Sequence, residues 1–147
     1  MAASLDAIAH VIQLSVAPVF LLTGIGALLG VMTNRLARIV DRARALEPQL
    51  PGAEGAAAQR IEADLRELAR RARLTNRAIT LLVAAALLVC LVIVGLFVTA
   101  YYAWSPDLTR AVATLFAAAM VALIAGLLTF LREVYIATAT LRIGHRA

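Results

Sequence analysis

Three stretches of the chain carry no Asp, Glu, Arg or Lys: Ala7–Asn34, Ala78–Pro106 and Ala111–Leu131. Each reaches the ~20 residues that an α-helix needs to cross a hydrocarbon core about 30 Å thick. Inside that core there is no water to satisfy backbone N–H and C=O groups, so the apolar stretches have to be helical. The expected fold is all-α and integral to the membrane, with transmembrane spans at about 8–32, 79–103 and 111–131. Residues 1–147 then form a single membrane domain.

All fourteen basic residues are arginine, and their placement orients the spans. Ten lie between the first two stretches, from Arg35 to Arg77, and Arg132, Arg142 and Arg146 follow the third; Arg110 alone falls on the other side. Basic residues near span ends stay cytoplasmic. The N-terminus is therefore expected outside, with the connection at about 33–77 and the tail at 132–147 in the cytoplasm. The N-terminus lacks the basic start of a cleaved signal peptide, carries Asp6, and runs apolar for too long, so the first span is read as permanent.

Composition narrows the function classes. A hydrophobic share of 63% and a mean hydropathy of +0.88 exceed what a soluble globule carries, ~45–50% apolar. The pI near 10.6 raises nucleic acid as a partner. That partner is not expected, because six acids (Asp41, Glu47, Glu54, Glu62, Asp64, Glu67) interrupt the arginines and no stacking aromatics accompany them. Cys90 is the only cysteine, so no intramolecular disulfide forms; inside a span such a thiol is expected to act as a small buried apolar filler. Abundant Ala and Arg with no lysine point to a GC-rich bacterial genome.

The helices should continue past the lipid. After Asn34, Leu36, Ile39, Ala43 and Leu46 recur at spacings of three and four, with Arg35, Arg38 and Arg42 on another face. Pro48, Pro51, Gly52 and Gly55 mark one turn, at about 48–56. From Ala56 a second amphipathic stretch runs through Ile61, Leu65, Leu68, Ala72, Thr75 and Ile79, the spacing of a short coiled-coil seam. Glu62–Arg66 and Glu67–Arg71 are i,i+4 pairs worth ~0.2–0.5 kcal/mol each on an exposed helix. The reading is a cytoplasmic helical hairpin between the first and second spans. Leu36, Ile39, Leu46, Ile61, Leu65 and Leu68 are expected to be buried in it. Tyr101, Tyr102 and Trp104 mark the outer interface, and Pro106-Asp107 restarts a third helix that runs on towards Gly144.

Several residues are candidates for contacts. The tripeptide Thr33-Asn34-Arg35 ends the first span and Thr75-Asn76-Arg77 opens the second, so both belong at one depth. There Arg35 and Arg77 can meet lipid phosphates while Asn34 and Asn76 hydrogen-bond between helices. The plainer role for these residues is to anchor helix depth. The first span projects two small or polar faces: His10, Gln13, Ala17, Gly24 and Val31 on one, and Ser15, Gly26, Gly30 and Thr33 on the other. Gly26-x-x-x-Gly30 permits close helix approach, and two packing faces on a three-span chain point to self-association. Pro18 frees the carbonyl of Leu14. In the third span Thr114, Ala118, Ala122 and Gly126 form a small ladder. The bulkier second span, with Leu82, Leu88, Val92, Leu96 and Phe97, reads as the main lipid-facing helix.

The run from Pro18 to Arg44, with its Asn34-Arg-Leu-Ala-Arg-Ile-Val-Asp-Arg42 segment, and the later Arg70-Arg-Ala-Arg-Leu-Thr-Asn-Arg-Ala-Ile79 resemble an uncharacterised bacterial family of small multi-pass inner-membrane proteins. The resemblance covers most of residues 12–100. It implies location and architecture, and it supplies no reaction.

No catalytic constellation stands out. His10 and His145 lie at opposite ends of the bundle, no Asp or Glu falls within a span, and no nucleophile has an adjacent base. No enzyme activity, metal or cofactor is expected, and the partners expected are membrane lipids and further copies of the chain. Two functions fit. One is a homo-oligomeric membrane anchor or interaction scaffold with no chemistry of its own. The other is an oligomeric pore or transporter-like assembly, with His10 and Gln13 lining a path that ends in an arginine ring and favours anions. Only Thr23 offers a hydrogen-bonding side chain between Ser15 and Thr33, which favours the anchor.

Overall fold

In a computed structural model, which describes residues 2–101 and 106–141, the chain forms three long helices. They are α1 (Ala2–Leu46), α2 (Ala56–Tyr101) and α3 (Pro106–Leu141), with a 3-10 turn at Glu47–Gln49. At 1.5 Å per residue, α1 and α2 are each about 70 Å long, twice the thickness of a hydrocarbon core. Each helix is long and apolar enough to cross a membrane. None of the three breaks where its uncharged stretch ends. Pro18 is accommodated inside α1, and α3 starts at Pro106, where a missing N–H costs no intrahelical bond. Tyr102, Trp104, Arg142, Gly144, His145 and Arg146 lie outside the described residues.

The connection between α1 and α2 is short and hydrogen-bonded. Leu50 N–H donates to Glu47 C=O at 3.3 Å, and Ala53 N–H donates to Leu50 C=O at 3.2 Å. Gln49 Nε2 returns to the Ala45 carbonyl at 2.8 Å. Gly55, immediately before α2, has φ +59°, a left-handed conformation that costs any residue with a Cβ ~1–2 kcal/mol.

One spacing organises burial along every helix. On α1 the residues withdrawn from solvent are Val11, Ser15, Pro18, Ile25, Met32 and Ile39, with Leu22, Leu29 and Leu36 half-buried between them. The intervals alternate four and three. On α3 the series is Val112, Leu115, Ala119, Ala122, Gly126, Thr129 and Glu133, again four and three. On α2 it runs from Ile61 through Leu68 and Thr75 to Ala78, Leu82, Ala85, Val89, Val92 and Thr99, slipping once, at Thr75–Ala78. A seven-residue repeat of this kind is the knobs-into-holes seam of helices that wind around one another.

The chain divides into two compact units, each drawing on all three helices. The first comprises residues 1–29 and 81–124. Its core is aliphatic and small: Val11, Ile25, Leu82, Val89, Val92 and Ala119 are at most 3% exposed. The tightest approach is at Gly95 on α2, where an added Cβ would stand 2.7 Å from Val112 Cγ2 on α3. A cavity of about 440 Å³ opens beside Pro18, Leu21, Leu96 and Phe116.

The second unit comprises residues 30–80 and 125–147 and contains the hairpin legs. Ile39 and Leu68 are buried there, while Leu36, Leu46, Ile61 and Leu65 are half-buried; Ile39, Leu65 and Leu68 border a groove of about 470 Å³. The Glu62–Arg66 pair forms at 2.7 Å on the exposed face. The Glu67–Arg71 pair does not, because Arg71 reaches a different carboxylate.

Two expectations are corrected. The second span is not the chief lipid-facing helix: 22% of its most apolar window is buried, against 11% for each of the others. Its bulky residues fall on both sides of the helix, and the seam takes Leu82, Val89 and Val92 while Val83, Leu87 and Leu91 stay outside. Cys90, expected to be a buried filler, is exposed, because it follows the seam residue Val89 by one position and so turns away by about 100°.

Candidate functional site: a buried carboxylate held by two arginines

Glu133 is the best-buried charged group among the described residues, with 0% exposure. It stands on α3 two positions beyond the last uncharged residue, Leu131, and occupies the seam register of Val112, Ala119 and Gly126. A lone carboxylate there would be strongly disfavoured. Two guanidinium groups neutralise it. Arg35 of α1 places Nε 2.8 Å from Oε2, and Arg71 of α2 donates from Nε to Oε1 at 3.2 Å.

Each guanidinium takes one oxygen, and the two contacts differ in kind. The Arg71 contact is an aligned hydrogen bond. Arg35 Nε and Glu133 Oε2 are close but poorly aligned, and neither atom has another hydrogen-bond partner, so that contact is chiefly coulombic. Both arginine side chains keep about a quarter of their surface in solvent, 26% and 23%. The carboxylate is the sealed member and the cations reach outward.

The supporting residues follow from helix periodicity. Phe130 precedes Glu133 by three positions, hence on the same face of α3, and its ring centroid lies 5.6 Å from Arg35 Cζ, within cation–π range. Thr75, fully buried one turn beyond Arg71, donates its hydroxyl to the Arg71 carbonyl at 3.1 Å. A hollow of about 260 Å³ flanks the site, bordered by Arg35, Arg38, Arg42 and Arg71 and by the apolar Ile39 and Leu68. Three helices are thus pinned at one ionic point carrying a net charge of +1.

The residues singled out from the sequence divide into those this arrangement gathers and those it leaves aside. Arg35 belongs to it. Its counterpart Arg77 is exposed and lines a separate cavity with Arg70, Arg73 and Arg132. Asn34 and Asn76 are exposed, no hydrogen bond joins their side chains, and the Asn76 carbonyl accepts from the Thr80 hydroxyl at 2.9 Å. Gly24, Gly26 and Gly30 are exposed, and a Cβ added at any of them would meet nothing within 4 Å among the described residues. Ala118 is exposed, Ala122 half-buried and Gly126 buried. His10 and Gln13 are exposed on α1.

Sequence reasoning assigned no role to Glu133 or Gly95. Glu133 was findable: it continues a seven-residue series of small and apolar positions, Val112, Ala119, Gly126, and a charge in such a series demands a buried partner.

Three apolar helices bound by heptad seams and pinned by a buried ionic group define the class: a multi-pass α-helical membrane protein. Within that class the chain belongs to the family of proteins of unknown function DUF2721, whose profile matches residues 15–143. No curated protein and no solved structure shows significant similarity to it.

Proposed function

We propose that this protein is a self-associating membrane anchor or interaction scaffold of the bacterial inner membrane, with no chemistry of its own. Its N-terminus lies outside, and the 47–55 turn and tail lie in the cytoplasm. The observation that carries the reading is the surface of α1. Its intrachain seam through Val11, Ile25 and Met32 is flanked by Gly24 on one side and by Gly26 and Gly30 on the other, all open to the surroundings. In lipid, helix association depends on close packing of such small residues. This chain uses none of the three for that purpose, which leaves them to a second copy.

The polar side chains of α1 favour an anchor over a pore. Ser15 donates to the Ile12 carbonyl at 2.8 Å, Thr23 to Val19 at 3.4 Å and Thr33 to Gly30 at 3.1 Å. Each is satisfied on its own helix, as hydroxyls are in apolar surroundings, and does not supply a water-lined path.

Native mass spectrometry in mild detergent tests the proposal. The wild-type chain is expected to run as an oligomer, and Gly26→Leu with Gly30→Leu to release monomers of unchanged helicity, since neither glycine has an intrachain neighbour to obstruct. A monomeric wild-type chain would refute self-association.

A further inference from the structure

We propose that Arg70, Arg73, Arg77 and Arg132 form a binding site for the headgroup of an anionic phospholipid. Arg70, Arg73 and Arg77 fall at i, i+3 and i+7, one face of α2, and Arg132 comes from α3. With Leu74 they border a cavity of about 290 Å³. All four are exposed, and among the described residues none has a carboxylate within ion-pair distance. The contrast with Arg35 and Arg71 is direct: those two share Glu133, whereas these four border one hollow with no carboxylate paired to them among the described residues.

Depth selects the occupant. Arg77 is the last charge before the uncharged stretch of α2, and Arg132 is the first after that of α3. Both therefore stand at the hydrocarbon boundary, where phospholipid phosphates lie. Leu128, one turn from Arg132 on the same face, is 61% exposed, and Leu131 is 51% exposed. Cationic groups above a bare apolar surface match a phosphate above its acyl chains. A guanidinium grips phosphate through two parallel N–H donors, which an ammonium cannot reproduce. Basic hollows between membrane helices on the cytoplasmic side bind such headgroups. The inference does not depend on self-association.

The test titrates the purified full-length protein in mild detergent with phosphatidylglycerol or phosphatidylcholine, counting bound lipids by native mass spectrometry. The wild type is expected to prefer phosphatidylglycerol, whose headgroup carries the net negative charge, by about tenfold. Arg73→Lys with Arg77→Lys and Arg132→Lys keeps the net charge and the orientation signal but removes the fork; the preference should fall severalfold. The matching Gln variant should abolish it, and Arg38→Lys with Arg42→Lys should leave it unchanged. Circular dichroism confirms that each variant is folded, as expected for exposed positions. Equal binding of the two lipids by the wild type, or full preference in the triple Lys variant, would overturn the site. Displacement of phosphatidylglycerol by millimolar inorganic phosphate would overturn the lipid as occupant in favour of a soluble anion.

Discussion

The two compact units are built from the same three helices on the same four-three spacing, yet only the second buries a charge among its apolar residues. In the first, the α3 seam places Val112 and Ala119, and contact is tight enough that Gly95 leaves no room for a methyl group. In the second, the same register delivers Glu133, and the helices meet through two ion pairs. An apolar seam needs only matched volumes. An ionic seam needs its charges matched in number and position, because a buried carboxylate with one partner missing is worse than no carboxylate. Packing in the first unit thus depends on matched volumes along the whole seam, whereas the second also hinges on a single charged residue from each helix.

The largest effect should come from removing the sealed charge. Glu133→Ala leaves Arg35 and Arg71 facing each other and should lower stability by about 2–3 kcal/mol. That is below the 3–5 for a fully buried pair, because both guanidinium groups can still reach water. Thermal unfolding in detergent measures the loss, and hydrogen exchange locates it. Protection should fall around Met32–Ile39 and Leu68–Thr75 and persist around Val89–Thr99. Uniform loss across all three helices would erase the distinction between the units.

Gly95→Leu is the complementary test. It forces side-chain atoms into Val112 and should cost about 1–3 kcal/mol, with the exchange pattern reversed. Val112→Ala should recover part of that loss. If Gly95→Leu melts like the wild type, the first unit is looser than its 2.7 Å approach indicates.

The smallest effect belongs to the other ion pair of the second unit. Glu62 and Arg66 meet at 2.7 Å, but their side chains are 48% and 79% exposed. Glu62→Ala should change stability by no more than ~0.5 kcal/mol, within the error of a thermal melt. A loss comparable to that of Glu133→Ala would show that burial is not what separates the two carboxylates.

Much of this architecture was legible in the chain itself. Uncharged length marks the three helices, because backbone groups in lipid have no alternative to helical hydrogen bonds. Amphipathic spacing beyond Asn34 and Pro48 at the turn place the end of α1, and Ala56 opens α2, since these signals act within a few residues of where they stand. Partner choice was not legible. Arg71 has Glu67 one turn away on its own helix and instead reaches Glu133, distant in sequence, because only the packed helices bring a sealed carboxylate within 3.2 Å. In the same way, Gly26 and Gly30 have the spacing of a close approach and make none within the chain, while Gly95 has no such spacing and makes one. A periodicity tells which residues share a face of a helix; which neighbour that face meets depends on the relative rotation of helices that the chain separates by dozens of residues.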